Sequence, residues 1–131
     1  MVSALSFSEA GGHPANEDAC AVRQHPAAAD CWLCLLADGQ GGQAGGARAA
    51  RLACDTALAL ALEQPPERLA DGPTWAAILG RADAAVCADD AAGYTTLVGL
   101  CATAGRVAGA SCGDSAALLV CGVRPRQLTA A

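Results

Sequence analysis

Polar and apolar residues alternate at Leu5, Ser6, Phe7 and Ser8, and this period of two predicts a first strand. A loop with Gly-Gly and a proline follows from Gly11 to Asn16. Ala19 to Arg23 then predicts a second strand and Pro26 to Asp30 a turn. Cys31 to Ala37 is continuously apolar, which predicts a third strand buried on both faces. From about Ala44 to Glu63 the chain is rich in alanine and leucine, so a helix is expected there, with Arg51 and Asp55 paired four apart on its wet face. Pro65-Pro66 stops it. A second helix is expected from Thr74, its N-cap, to Gly93, with Trp75, Ile78, Leu79, Ala82 and Val86 as one apolar stripe. Three strands complete the pattern: about Tyr94 to Thr103, Arg106 to Ser111 and Ala116 to Val123. Hairpin turns are expected at Ala104-Gly105 and Gly113-Asp114. Strands, two helices and then strands in hairpins argue for an α+β domain with antiparallel sheets.

The 131 residues suffice for one modest domain, and 53% hydrophobic against 16% charged residues is a folding composition. Aromatics make up only 3%, so alanine, leucine, valine and cysteine must fill the core. The net charge is -5, every basic residue is an arginine, and no basic stripe suggests a nucleic-acid partner. Met1 to Ala10 lacks the features of a signal peptide, and no apolar run is long enough to span a bilayer, so a cytoplasmic protein is expected. Eight cysteines sit mostly in apolar runs, Cys34, Cys54, Cys101 and Cys121 among them, and read as reduced thiols packed as small hydrophobes. Cys31 and Cys34 have the spacing of a zinc knuckle. On a strand, residues three apart point to opposite faces, so zinc is rejected.

The chemistry concentrates where strands end. The run closing on Leu36-Ala37 meets Asp38, and five glycines fall within Gly39 to Gly46. Glu17, Asp18 and Asp114 also stand beside strand ends. If those strands are neighbours, four carboxylates share one end of a sheet. Their repulsion raises their pKa values, and a divalent cation relieves it. Hard oxygen ligands favour magnesium, manganese or calcium, and two such ions can activate a water toward phosphorus. Taken singly, Asp114 in Gly-Asp-Ser is good turn chemistry, Asp38 a turn initiator, and Glu17-Asp18 solvated loop charge. Gly39 to Ala44 also matches the loose Gly-x-Gly-x-x-Ala dinucleotide fingerprint. The acid-tipped parallel strand that fingerprint needs is absent, since Ala57 to Glu63 is helical there.

These motifs resemble the first half of a metal-dependent protein serine/threonine phosphatase of the 2C family. Asn16-Glu17-Asp18, Asp38-Gly39-Gln40-Gly41-Gly42, Thr95-Thr96, Gly113-Asp114-Ser115 and Leu128-Thr129 match its motifs in order. The resemblance implies an antiparallel β-sandwich flanked by helices, here an incomplete one, with residues 1–131 as a partial domain lacking the C-terminal half. It implies a Mg2+ or Mn2+ site with Asp38 bridging two ions, the Gly39 carbonyl and Glu17 as further ligands, and Asp114 serving a third ion. Asp18 would orient the nucleophilic water. Where the family usually has a phosphate-binding arginine, this chain has His13, either a substitute anchor or a surface-loop histidine. Two further metal-ligating aspartates of the family have no counterpart.

Three functions follow as alternatives. The first is hydrolysis of phosphoserine and phosphothreonine in proteins, impaired by the missing ligands. The second is a non-catalytic pseudophosphatase that binds a phosphoprotein or partner chain. The third is a nucleotide-binding domain using the glycine loop. The expected partners are a phosphorylated substrate protein or its serine/threonine kinase, with no nucleic acid and no membrane. Exposed sheet edges also predict self-association.

Overall fold

A computed structural model describes residues 2–41 and 44–130. The central sheet is antiparallel throughout. Strand β1 (Asp18–His25) pairs with the long β2 (Ala28–Gln40), β2 with β4 (Leu97–Ala102), and β4 with β5 (Val107–Cys112). A two-residue strand, β3 (Tyr94–Thr95), extends the far end of β2. Helices α1 (Gly45–Glu63) and α2 (Gly72–Cys87) lie on one face of the sheet. A separate hairpin of β6 (Leu118–Cys121) and β7 (Arg124–Gln127) forms a second, two-stranded sheet. This is the expected α+β architecture.

Burial along β2 alternates. Cys31, Leu33, Leu35 and Ala37 are sealed under the helices, whereas Trp32 and Cys34 are half-buried and Leu36 is exposed. The expectation of burial on both faces therefore fails. Continuous hydrophobicity cannot say whether a second layer covers the outer face, where Trp32 Nε1–H donates to the Val2 carbonyl at 3.1 Å.

The covered face is built from small residues around one large one. Ala49, Ala50, Ala53, Ala57 and Ala61 of α1 are buried, so the helix lies close against the sheet. Trp75 is fully buried, its Nε1–H donates to the Leu69 carbonyl at 3.0 Å, and its ring covers Gly99 of β4. A Cβ at Gly99 would stand 2.8 Å from the Trp75 ring. The stripe Trp75, Ile78, Leu79 and Ala82 is buried as expected, with Val86 at its margin.

Other expectations need correction. Leu5 to Ser8 pairs with no strand among the described residues, and Leu5 and Phe7 are exposed. Alternation alone does not make a strand where no neighbour accepts its backbone hydrogen bonds. Helix α2 begins at Gly72 with Asp71 as N-cap, because Pro73 suits the first turn, and Thr74 instead donates to the Asp71 carboxylate at 3.2 Å. It ends at Cys87, before Gly93, whose N–H donates to the Gly45 carbonyl at 2.8 Å. The ion pair of α1 is Arg48 with Asp89 at 2.7 Å, not Arg51 with Asp55, and Arg48 holds the Asp89 carboxyl below its ordinary pKa. The Ala104-Gly105 turn joins β4 to β5 as expected. Gly113-Asp114 does not close a hairpin, because β6 turns back through Gly122 (φ 67°) to pair with β7. Cys121 lies exposed on that hairpin, whereas Cys54 and Cys101 are buried as expected. All eight cysteines are free thiols.

His25 is the buried polar residue of the core. Its Nδ1 accepts from the Ala27 N–H at 3.1 Å, which leaves Nε2–H to donate to the Gln64 carbonyl at 2.8 Å, at the C-cap of α1. The ring thus ties the β1–β2 turn to the end of α1. Replacing it with phenylalanine keeps the ring but orphans both partners, and we expect His25→Phe to cost about 1–3 kcal/mol in urea unfolding. An unchanged midpoint would contradict this role.

Candidate active site

The ladder between β1 and β2 places Asp18 directly opposite Asp38. Glu17 precedes β1, and its backbone carbonyl accepts from the Gly39 N–H at 3.1 Å. The Asn16 side chain caps the approach, with Oδ1 accepting from the Asp18 N–H at 3.0 Å and Nδ2 donating to Ser8 at 2.8 Å. Gly39 is required as glycine: a Cβ there would collide with the carbonyl oxygens of Gly46 and Glu17. Gly46 has the same constraint from the other side, since its Cβ would lie 3.0 Å from the Glu17 carboxyl carbon. The glycines therefore let the first turn of α1 press against the strand that carries the acids. Ala44, just before that turn, adopts φ 70°, a conformation uncommon outside glycine. Gly42 and Gln43 of the glycine run lie outside the described residues.

From the opposite side Thr96, between β3 and β4, contributes a polar brace. The Asp38 N–H donates to Thr96 Oγ1 at 3.0 Å, and the Thr96 N–H returns a bond to the Asp38 carbonyl at 3.0 Å. Thr96 Oγ1 also shares a hydrogen bond with the Ser115 hydroxyl, next to Asp114. Gly113 (φ 97°) lets that turn close on Thr96, since a Cβ would lie 2.7 Å from the threonine methyl. Thr96 and Ser115 thus fix the positions of two acids. Reading them as parts of motifs did not reveal this, because the bond runs between residues 19 apart.

Three of the four acids meet at one cleft. The Asp38 carboxyl is held above its ordinary pKa, first by desolvation, then by the hydrogen bond and charge of Asp18, then by the charges of Asp114 and Glu17. Glu17, Asp18, Asp38, Gly39 and His13 line one cleft of about 660 Å³, closed on the helix side by Ala44 and Ala47. His13 is exposed on the loop at its rim. Asp114 lies within charge range of Asp38 but does not line the cleft.

The donor chemistry suits a hard divalent cation: two acids paired across β1 and β2, a third beside them, and close backbone oxygens. Among the described residues, however, no three carboxylate, imidazole or thiol groups close around one point. The residues thus fit a cation as an open, two-carboxylate site rather than a complete cage.

The chain belongs to the protein phosphatase 2C family, whose sequence model matches residues 9–127. Its fold is similar to the crystal structure of a bacterial serine phosphatase bearing a point mutation, with a TM-score of 0.66 and 20% identity. The likeness covers 95% of this chain and 59% of that one, so the chain spans about three-fifths of that phosphatase. No curated protein matches it. Among the described residues no helix is long and apolar enough to cross a membrane.

The raised Asp38 pKa has a definite sign. The folded, cation-free chain holds that proton more tightly than the unfolded chain, so ionising Asp38 removes stability as pH rises through the raised value. We expect Asp38→Asn to raise the melting temperature in EDTA at about pH 7.5, with the gain vanishing below about pH 3.9, where the carboxyl is protonated in both states. Scanning calorimetry across that range checks it; a lower melting temperature at neutral pH would contradict the repulsion.

Proposed function

We propose that this chain is a partial protein phosphatase 2C domain that binds Mg2+ or Mn2+ through Asp38, Glu17 and the Gly39 carbonyl, with Asp18 beside them, and acts on phosphoserine and phosphothreonine in proteins. The observation that carries the reading is the pairing of Asp18 with Asp38 across β1 and β2, with two further acids close enough to raise the Asp38 pKa. Such repulsion is relieved by a bound cation. When bound, the cation supplies a water acidified for attack on phosphorus. Asp38 would be the principal ligand, with the Gly39 carbonyl and Glu17 beside it. Asp18, opposite Asp38, would hold and orient the attacking water by accepting its proton. Asp114, braced through Ser115 and Thr96, would serve a further, weaker ion. His13, at the rim of the cleft, would meet the phosphate, although an imidazole is a poorer anion partner than a bidentate arginine. The partners in this reading are a phosphorylated protein or its serine/threonine kinase.

The open donor set favours a second reading, a non-catalytic module that binds a phosphoprotein or partner chain without hydrolysis. The outer edges of β1 and β5, unpaired among the described residues, are where such a chain or a second copy would add.

Phosphothreonine-peptide hydrolysis and calorimetric titration with Mn2+ separate the readings. The catalytic reading expects slow, Mn2+-dependent phosphate release that Asp38→Ala reduces by at least about 100-fold, equivalent to roughly 2.7 kcal/mol of barrier. Phosphopeptide binding with no release would favour the module. Absence of Mn2+ binding would overturn the metal site itself.

A further inference from the structure

The helix-facing side of the central sheet holds a second pair of reactive groups, at the end away from the acids. Cys31 of β2 and Cys101 of β4 are 2% and 4% exposed, and their Sγ atoms lie 2.8 Å apart. The register explains how they meet. Leu33 stands opposite Cys101, so Cys31 is its diagonal neighbour on the same face of adjacent strands. The sulfurs need to close by less than about 1 Å to reach the 2.05 Å of a disulfide. The catalytic reading uses neither thiol, and nothing in it requires that they remain reduced.

We propose that Cys31 and Cys101 are an oxidation site, converted by hydrogen peroxide into an intramolecular disulfide that staples β2 to β4. One thiol loses its proton and its sulfur attacks a peroxide oxygen. The O–O bond breaks, hydroxide leaves and takes up that proton as water, and the sulfur becomes a sulfenic acid. The second sulfur then attacks the first. The S–S bond forms, the S–O bond breaks, and the departing hydroxide takes the proton of the second thiol. Two thiols and one peroxide yield one disulfide and two waters. Peroxide is the fitting oxidant because it is small, whereas a bulky disulfide reagent cannot reach sulfurs this buried. Desolvation, together with the Cys31 contact, pushes the Cys101 thiol up to about 12. Thiolate is therefore scarce and the reaction slow, which makes the pair a durable staple rather than a fast sensor. The link closes a loop across 70 residues, so it should stabilise the fold through the unfolded state. Asp38 lies seven positions beyond Cys31 along β2, which leaves the acid end of the sheet untouched.

The test uses the full chain in which exposed Cys87, Cys112 and Cys121 become serine and half-buried Cys34 becomes alanine, so that they neither react first nor confuse the mapping. After incubation with peroxide, free thiols are alkylated in denaturant and the chain is cut after arginine. The expected product is a linked pair of peptides, residues 24–48 joined to 82–106, lost on reduction and absent from a Cys101→Ala version. The oxidised chain should melt about 5 °C or more above the reduced one. If the four-site background does not fold, tandem mass spectrometry of the same linked peptides from the unmodified chain decides the question. Recovery of Cys31 and Cys101 alkylated, or oxidised separately to sulfinic acids, would overturn the proposal.

Discussion

The candidate site depends on one register, the pairing of β1 with β2 that sets Asp18 against Asp38. Side chains on a strand alternate with a period of two, so a slip of one residue would move Asp38 and Leu36 to the helix face and expose Leu35 and Ala37 in their place. Several contacts forbid that slip. Leu33, Leu35 and Ala37 must stay under the helices, His25 locks the turn end of the ladder to α1, and Thr96 brackets Asp38 with two hydrogen bonds. The acids are brought together by the same hydrophobic pattern that builds the core.

The sheet is asymmetric in its covering. Its helix face is packed with alanines around Trp75, a solution suited to a chain with few aromatics, because small residues on α1 let backbone approach backbone and one indole fills what remains. Its other face keeps Trp32, Cys34, Leu36 and Leu100 partly open, and the β6–β7 hairpin is itself exposed at Leu118, Val120 and Val123. The chain spans 59% of the bacterial phosphatase whose fold it shares.

Much of this was legible in the sequence, for identifiable reasons. Helices α1 and α2 announce themselves through alanine, leucine and a periodic stripe, and the strands carrying the acids through apolar runs ending on carboxylates. What stayed hidden depended on partners. Leu5 to Ser8 has a strand's alternation but no partner strand among the described residues. The face of β2 that stays open has the composition of a buried one. The Gly113-Asp114 turn looks like a hairpin, but it serves to bring Ser115 to Thr96 and Asp114 toward Asp38. The acids could be named from the sequence as candidate site residues; the brace joining Thr96, Ser115 and the Asp38 backbone could not, since no local pattern encodes a hydrogen bond between distant hydroxyls.

The two ends of the sheet are under opposite demands. At one end like charges are crowded together, a glycine contact admits no side chain, and Ala44 carries a left-handed backbone. Each of these costs stability in the cation-free chain. At the other end His25, Trp75 and the Cys31–Cys101 contact knit strands and helices with satisfied or buried groups. Proteins that concentrate strain at a site need a rigid frame beside it, since a site that relaxes its own repulsion by moving apart no longer holds its acids in place for a ligand. Long, continuous β2 meets both demands in one element: its first half anchors the core, and its last residues deliver Asp38 and Gly39 to the cleft.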